Sequence, residues 1–327
     1  MKSGYVALVG RPNAGKSTLL NALVGTKLAI VSDKPQTTRT RILGVKTTPA
    51  AQIVFVDTPG VHRPLHRLNV RMVDAAVEAM KAVDLVVLVV DASEPTGRGT
   101  EFMLGLLKDL SGPVVLVLNK IDLVRKPDLL PLIEWFHTRH PFEEIVPISA
   151  LTGDGADLLE AALVRHLPEG EPTFPEDYLT DQPERRIAAE LVREQVLAAT
   201  RDELPFSTAV VVEAFEEEPS TRPAAEGEEP ERGLIRLACR ILVERPSQKP
   251  ILVGRRGEMV KRIGTAARLE LERFFGCRVF LDLQVKVVPD WRENERVLDE
   301  LGVEGGRPHR RARTSRRAGR NRDGSRS

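Results

Sequence analysis

A glycine-rich turn between an apolar run and a helical pattern is the feature that constrains this chain most. The turn reads Gly10-Arg11-Pro12-Asn13-Ala14-Gly15-Lys16-Ser17, and Thr18 opens the helical pattern 18–24 after it. Glycines let backbone N–H groups curl around phosphate oxygens, which the positive end of a helix also attracts. The lysine can reach the β- and γ-phosphates, and the serine hydroxyl can ligate Mg²⁺. A chance glycine turn is the alternative, but the apolar strand 5–9 before the turn favours a phosphate loop.

The composition is that of a soluble globular protein. The chain has 327 residues, of which 42% are hydrophobic and 29% charged, so the length suggests two domains. Its two cysteines, Cys239 and Cys277, form no disulfide framework. We find neither a signal peptide pattern nor an apolar run near the roughly 20 residues of a transmembrane helix. We therefore expect a cytoplasmic protein, with peripheral membrane contact left open.

The net charge of +1 conceals an asymmetry along the chain. Residues 307–327 hold nine arginines and one aspartate, which make +8, and subtracting this from +1 leaves −7 for the rest. A basic tail on an acidic body is typical of proteins that contact nucleic acid. The alternative is a solvated tail without a partner. In both cases the composition predicts disorder over 304–327.

Apolar runs alternate with helical patterns through the first half of the chain. The predicted strands are 5–9, 42–47, 53–57, 85–91, 114–119 and 145–148. The predicted helices between them are 18–24, 69–81, 100–110, 128–139 and 155–167. This alternation predicts an α/β domain over 1–168, with a mostly parallel sheet and helices on both faces.

The second half has a different order of elements. Prolines among acidic residues predict a linker over 169–183. An α+β domain is predicted over 184–303. Its predicted elements are a helix at 184–203, strands at 208–215 and 234–243, an acidic loop at 216–232, a helix at 258–275 and a strand at 278–288.

Three further motifs stand at the ends of predicted strands. They are Asp57-Thr58-Pro59-Gly60, Asn119-Lys120-Ile121-Asp122 and Ser149-Ala150. An aspartate at the first strand end can hold a metal through water, and the following glycine N–H can meet a γ-phosphate. Ligands of open α/β sheets bind beyond the carboxyl ends of the strands, so we expect all three motifs to share one site with the phosphate loop.

The base of the nucleotide is indicated by Asp122. Its carboxylate can accept two hydrogen bonds, from the guanine ring N–H and the exocyclic amine. Adenine offers no such donor pair, and a site built on hydrogen bonds rejects analogues that lack them. The backbone of Ser149 and Ala150 could contact the guanine carbonyl.

A second metal ligand is expected in the segment Gln36-Thr37-Thr38-Arg39-Thr40. A threonine hydroxyl here can bind Mg²⁺ together with Ser17 and Asp57 once a γ-phosphate is present. Thr37 and Thr38 are both candidates, and we take Thr38 ahead of Thr37.

Taken together, these motifs resemble those of the Era family of GTPases. The likeness continues into the second half, at 203–206, 241–245 and 254–275, and covers about 4–303. It implies binding of GTP and GDP with Mg²⁺, and a role in assembly of the 30S ribosomal subunit through the 3′ region of 16S rRNA. We expect a monomer.

The catalytic residues are less clear than the binding residues. Ras-like enzymes orient the attacking water with a glutamine after the Asp-x-x-Gly motif, but this chain has Val61 there. We therefore expect slow intrinsic hydrolysis that depends on Lys16 and Thr38. The resemblance implies that Asn13 helps to hold a potassium ion beside the phosphates; a plain turn residue is the alternative.

A second glycine-containing loop indicates RNA binding. Gly254-Arg255-Arg256-Gly257 has the Gly-x-x-Gly form with which KH domains clamp about four nucleotides, and Lys261 and Arg262 add positive charge. The order of elements suggests the bacterial type II arrangement. A helix-turn-helix bend used for protein contact is the alternative.

Two other function classes compete with this interpretation. One is an RNA-binding chaperone whose nucleotide site is structural, against which Lys16, Ser17 and Asp57 argue. The other is a phosphate-loop ATPase or kinase, against which Asp122 argues.

Overall fold

The first half of the chain is built on a six-stranded sheet in our computed structural model, which describes residues 1–34, 36–61, 66–201, 203–220 and 232–303. The strands are β1 (Lys2–Gly10), β2 (Ile42–Thr47), β3 (Ala51–Asp57), β4 (Leu85–Asp91), β5 (Val114–Asn119) and β6 (Glu144–Pro147). Their order is β2-β3-β1-β4-β5-β6, and every neighbouring pair is parallel except β2 with β3. The predicted mostly parallel sheet is confirmed.

Five helices cover the two faces of this sheet. They are α1 (Lys16–Val24), α2 (Arg67–Ala82), α3 (Arg98–Leu107), α4 (Lys126–His137) and α5 (Ala156–His166). Side chains alternate along β1, so Val6 and Leu8 pack with α1 and α5 while Ala7 and Val9 pack with α2, α3 and α4. Both faces are therefore buried, as the continuous apolar strands predict.

The second half contains a three-stranded sheet with helices packed against it. Its elements are α6 (Glu184–Ala199), α7 (Leu204–Ser207), β7 (Thr208–Pro219), β8 (Arg232–Val243), α8 (Gln248–Val253), α9 (Glu258–Phe275), β9 (Arg278–Val287) and α10 (Glu295–Glu300). The strand order is β7-β8-β9, with β7 antiparallel and β9 parallel to β8. Helices α6 and α9 pack on the face formed by Ile235, Leu237, Cys239 and Ile241. The predicted order of helices and strands is confirmed.

The helix predicted over 184–203 is shorter than expected. It ends at Ala199, because Thr200 is extended and donates its hydroxyl to the Val196 carbonyl, 2.7 Å away. The chain then restarts as α7, with Pro205 in its first turn, where a missing N–H costs nothing.

The acidic loop predicted over 216–232 was wrong at both ends. β7 continues through Pro219, and β8 begins at Arg232. Cross-strand ion pairs explain the extension, since Arg236 lies 2.5 Å from Glu218 across the ladder. Opposite charges facing each other offset the low strand propensity of glutamate. The rest of the predicted loop, 221–231, and the predicted disordered tail, 304–327, lie outside the described residues.

The predicted linker 169–183 contains no helix or strand, but it is held against the sheet. The Gln52 amide oxygen accepts from the backbone N–H groups of Thr173 (2.7 Å) and Phe174 (2.9 Å). Val45 on β2 donates its N–H to the Leu179 carbonyl, 2.8 Å away. This segment therefore covers the edge that β2 would otherwise expose.

The two halves also share an apolar cluster. Leu68 and Met72 of α2 pack with Trp291 and Leu298 of the second half, and all four side chains are almost fully buried. The nucleotide loops and the second sheet are therefore parts of one packed body. No helix in the described ranges combines the length and apolar character needed to cross a bilayer.

Candidate functional site

The loop after β1 forms the floor of an open cavity. Gly15 caps α1 with a φ of 91°, and a Cβ there would lie 2.2 Å from the Asn119 amide nitrogen. Only glycine fits both constraints. The Lys16 ammonium donates to the carbonyls of Arg11 (3.1 Å) and Gly10 (3.4 Å), and burial lowers the pKa of this lysine. The cavity is also lined by Pro12, Asn13, Ser17, Thr18, Thr37, Thr38, Gly60 and Lys120.

A buried group of oxygen atoms lies beside this cavity. The Ser17 hydroxyl is 2.7 Å from the Asp57 Oδ2 atom and 2.7 Å from the Thr38 hydroxyl. Thr37 instead donates its hydroxyl to the Lys34 carbonyl, 2.6 Å away. The structure thus brings Thr38, rather than Thr37, to Ser17 and Asp57.

The electrostatics of Asp57 suit a cation. Its side chain is fully buried, and its Oδ1 atom has no hydrogen-bond partner among the described residues. Burial raises the pKa of Asp57 to about 6, although Lys16 and the two hydroxyls oppose the shift. A buried carboxylate oxygen without a partner is costly. Two hydroxyls and a carboxylate are ligands that Mg²⁺ accepts, so these residues fit the predicted metal.

The turn after β3 rests on the phosphate loop. The Thr58 hydroxyl donates to the Leu8 carbonyl (2.8 Å), and Pro59 leads to Gly60, where a Cβ would lie 2.7 Å from the Pro12 Cα. The next residue, Val61, is 2% exposed and packs in the core. The position that carries a water-orienting glutamine in Ras-like enzymes therefore points away from the cavity.

The ends of β5 and β6 are joined through Asn119. Its amide donates to the Ala14 carbonyl (2.8 Å), and its side-chain oxygen accepts from the Ala150 N–H (2.9 Å). Ser149 is buried, and Asp122 is exposed in the turn Ile121–Leu123. Asn119 thus ties two of the predicted base-binding segments to the phosphate loop.

Two acidic residues at this site were missed from the sequence. Asp91 lies 2.5 Å from the Lys120 ammonium, and Glu94 lies 3.2 Å from Arg11. Asp91 could have been identified because it ends β4, and in the sheet it lies beside Asn119 at the end of β5. Asp91 holds the lysine of the predicted base-binding motif in position.

Asn13 makes contact with the loop that precedes Thr38. Its φ is 62°, a conformation that asparagine tolerates in turns, and its amide donates to the Asp33 carbonyl, 2.7 Å away. Asn13 is therefore a turn residue, and its predicted contact with a potassium ion stays a prediction.

The Gly-x-x-Gly segment of the second half forms an exposed basic turn. α8 ends at Gly254, with a φ of 75°, and α9 begins after Gly257. Four cationic side chains at or just after this turn point to solvent: Arg255, Arg256, Lys261 and Arg262. A groove continues from the turn between α9 and β9, with Leu281 and Leu283 in its wall. This arrangement suits a negatively charged chain with apolar bases.

Comparisons with known proteins agree with both halves. A family model described as 50S ribosome-binding GTPase matches residues 5–120, and a KH domain model matches residues 224–292. GTPase Era of Geobacter metallireducens is 49% identical over 301 residues, which are 92% of this chain and 97% of that protein. GTPase Era of Syntrophus aciditrophicus is 47% identical, with 92% and 95% covered.

Solved structures give the same result. Aquifex aeolicus Era, as a variant bound to GDP and AlF4−, is 44% identical, has a TM-score of 0.85, and is matched over 93% of this chain and 99% of that one. A crystal structure of Era in complex with MgGDPNP and nucleotides 1506–1542 of 16S ribosomal RNA has a TM-score of 0.86, with the same identity and coverage.

Both halves and their connection are covered by these matches, so the likeness is not confined to a common nucleotide-binding fold. The identity is far above 30% over more than nine-tenths of the chain. The guanine-nucleotide interpretation of the motifs is thereby confirmed against the ATPase or kinase alternative. This chain is a GTPase and belongs to the Era family.

Proposed function

We propose that this GTPase binds 16S rRNA near its 3′ end and acts in assembly of the 30S subunit. The observation that carries the proposal is the exposed basic turn Gly254–Gly257 on a KH fold, at the mouth of the groove beside α9. The Era structure with nucleotides 1506–1542 of 16S rRNA supports the choice of RNA. We further propose two working units, 1–168 for nucleotide and 184–303 for RNA, in a cytoplasmic monomer.

The predicted residues of the nucleotide site have distinct functions in this proposal. Residues Gly10 to Thr18 hold the phosphates, and Asn119, Lys120, Asp122, Ser149 and Ala150 hold the guanine. Ser17, Thr38 and, through water, Asp57 hold Mg²⁺, which would neutralise charge on the β- and γ-phosphates. Lys16 stabilises the transferred phosphoryl group. The hydrogen bonds that already link Ser17, Thr38 and Asp57 support this assignment.

The nucleotide controls RNA binding in this proposal. The γ-phosphate orders the segments around Thr38 and Gly60, and this order favours the RNA-bound form until hydrolysis removes it. Such coupling requires that RNA affinity differ between the GTP and GDP forms. Equal RNA affinities with a GTP analogue and with GDP would exclude it.

The RNA assignment is tested by crosslinking the protein to RNA in cells and sequencing the bound fragments. We expect a peak at the 3′ end of 16S rRNA. Reads spread over many RNAs would contradict the assignment.

Replacing Arg255 and Arg256 with alanine should weaken RNA binding and its salt dependence. The slope of log affinity against log salt should fall by about 1.4, since each neutralised phosphate of a single strand contributes about 0.7. The measurement is binding of the 16S 3′ fragment across a salt series. A double variant at two exposed arginines outside the turn, Arg125→Ala with Arg296→Ala, is the control and should keep the slope.

Hydrolysis should be faster in potassium than in sodium, because a cation beside the phosphates offsets developing charge in the way that an arginine finger does. In Asn13→Ala this difference should shrink. Steady-state phosphate release in the two salts at equal ionic strength measures it. Equal rates for the unmodified protein in both salts would remove potassium from the proposal.

A further inference from the structure

Helix α6 belongs to the RNA-binding half, yet two of its side chains form hydrogen bonds with the segment that leads to Thr38. The Glu194 carboxylate accepts from the Lys27 ammonium (2.6 Å) and from the Val31 backbone N–H (3.0 Å). The Arg193 guanidinium, one residue earlier, donates to the Thr37 carbonyl. Val31 and Thr37, which both line the nucleotide cavity, are therefore held from the other half of the chain.

These contacts are buried. Arg193 is 1% exposed and Glu194 is 8% exposed. Glu190 accepts two hydrogen bonds from the Arg193 guanidinium, at 2.9 and 2.6 Å, and so orients it toward the loop. Within the part of the chain that the structure describes, the Arg193 Nη1 atom has no partner. An unpaired polar group is costly when it is buried, so losing the Thr37 carbonyl would leave a further donor of this guanidinium without that partner.

The residue after Thr38 adds a second buried cation to the same interface. Arg39 is 6% exposed, donates to the Thr208 carbonyl (2.7 Å), and lies 5.4 Å from the centre of the Trp291 ring. Burial, together with the charge of Arg193, lowers the pKa of Arg39 to about 9. Thr38 thus stands between two residues whose backbone or side chain is fixed on the RNA-binding half.

We propose that Arg193 and Glu194 are positioning residues for the GTPase reaction, which set the Thr38 hydroxyl at the metal site from the RNA-binding half of the chain. The inference rests on the proposed function, because it takes Thr38 as a metal ligand. Arg193 holds the carbonyl of the residue just before Thr38, and the Thr38 hydroxyl lies 2.7 Å from that of Ser17. Fixing that carbonyl limits where the following side chain can point.

A selective effect follows from the chemistry of Thr38. Its hydroxyl is needed only when a γ-phosphate and its metal are present, whereas GDP is held by the phosphate loop and the base-binding motif. A change at Arg193 should therefore weaken the binding of a GTP analogue and leave GDP binding unchanged. A residue that only stabilised the fold would affect both nucleotides alike.

Arg193→Lys in the full chain is the first test, because lysine keeps the buried charge but loses the planar fork of donors. We expect the affinity for a non-hydrolysable GTP analogue with Mg²⁺ to fall about tenfold relative to GDP, within the usual range of coupling between sites. Arg185→Lys is the matched control, since Arg185 lies on the same helix but donates to the carbonyls of Val212 and Glu213 in its own half. The control should keep the wild-type ratio.

A double-mutant cycle with Thr38→Ala completes the test. If Arg193 acts through Thr38, adding Arg193→Lys to Thr38→Ala should change the GTP-to-GDP ratio little further, because coupled residues are not additive. The proposal would be overturned if the two single changes lowered the GTP-to-GDP affinity ratio independently, so that their effects multiplied in the double variant. It would also be overturned if Arg193→Lys alone left that ratio unchanged. A Thr38→Ala variant with an unchanged ratio would instead refute the metal assignment in the proposed function, and the inference with it.

Folding of the variants is checked by thermal unfolding. If Arg193→Lys does not fold, Glu194→Gln replaces it, since this change keeps the shape and removes the charge that faces Lys27. The same loss, selective for the GTP analogue but smaller, is expected. Equal weakening of GDP and the GTP analogue in Glu194→Gln would contradict the proposal.

Discussion

Asp122→Asn should shift the nucleotide preference of this GTPase from guanine to xanthine. In the proposed site the Asp122 carboxylate accepts two hydrogen bonds from guanine, whereas asparagine offers one acceptor and one donor. GTP affinity should fall by on the order of 10² to 10⁴, because hydrogen bonds to a charged group contribute about 1.5–3 kcal/mol each. Xanthine carries an oxygen where guanine has its amine, so the asparagine N–H can donate to it. Competition between GTP and XTP for the variant measures the shift.

Asp128→Asn is the control for this experiment. Asp128 also follows β5 in the chain, but it lies in the first turn of α4, where its carboxylate pairs with Arg125, 2.9 Å away. GTP affinity should be unchanged in this variant. If Asp122→Asn also kept its GTP affinity, the base would be recognised elsewhere, and the exposed turn Ile121–Leu123 would have another function.

The strands of the first half could be predicted closely because their signal is local. A run such as 114–119 is apolar on both faces, and its end coincides with a motif, so both composition and chemistry mark the same boundary. Helix α9 was predicted with its observed bounds for a similar reason, since an amphipathic pattern is flanked by Gly257 and Gly276, which end helical runs.

The choice between Thr37 and Thr38 could not be made from the sequence. Both have a hydroxyl, and they are adjacent, so local propensity does not separate them. What separates them is tertiary: α6 holds the Thr37 carbonyl, and the Thr38 side chain then meets Ser17. The same applies to Asp91, whose partner Lys120 directly follows the neighbouring strand β5. Contacts of this kind depend on register between distant segments, which no local pattern encodes.

At Glu216–Pro219 the local pattern did give a prediction, but it was wrong, because the strand continues there. Glutamate and proline are depleted in strands, so a local estimate ends β7 too early. The partner strand supplies the stabilisation that local propensity lacks, because arginines on β8 form ion pairs with glutamates on β7. The order of segment 169–183 along the edge of β2 also depends on a distant residue. Its backbone is held by Gln52 and not by a local pattern of its own.

Lys16→Ala should lower the rate of GTP hydrolysis by about 10² to 10³ or more, the usual loss when one preorganised donor to the transition state is removed. Lys16 is 5% exposed, and its ammonium lies 3.1 Å from the Arg11 carbonyl of the loop. Single-turnover phosphate release measures the loss. Lys81→Ala, at an exposed position near the end of α2, is the control and should retain the full rate.

The activity of the same variant should also depend more strongly on pH near neutrality than that of the unmodified protein. Burial already raises the pKa of Asp57 to about 6, and Lys16 opposes that rise. Without the lysine the pKa rises further, so protons compete with Mg²⁺ for the carboxylate at neutral pH. Residual hydrolysis and Mg²⁺ affinity should then both increase as the pH is raised. A variant whose Mg²⁺ affinity did not change with pH would show that Asp57 and Lys16 act independently.

A Lys16→Ala variant that supported growth like the unmodified protein would favour a structural nucleotide site, because the proposed cycle of RNA binding and release depends on hydrolysis.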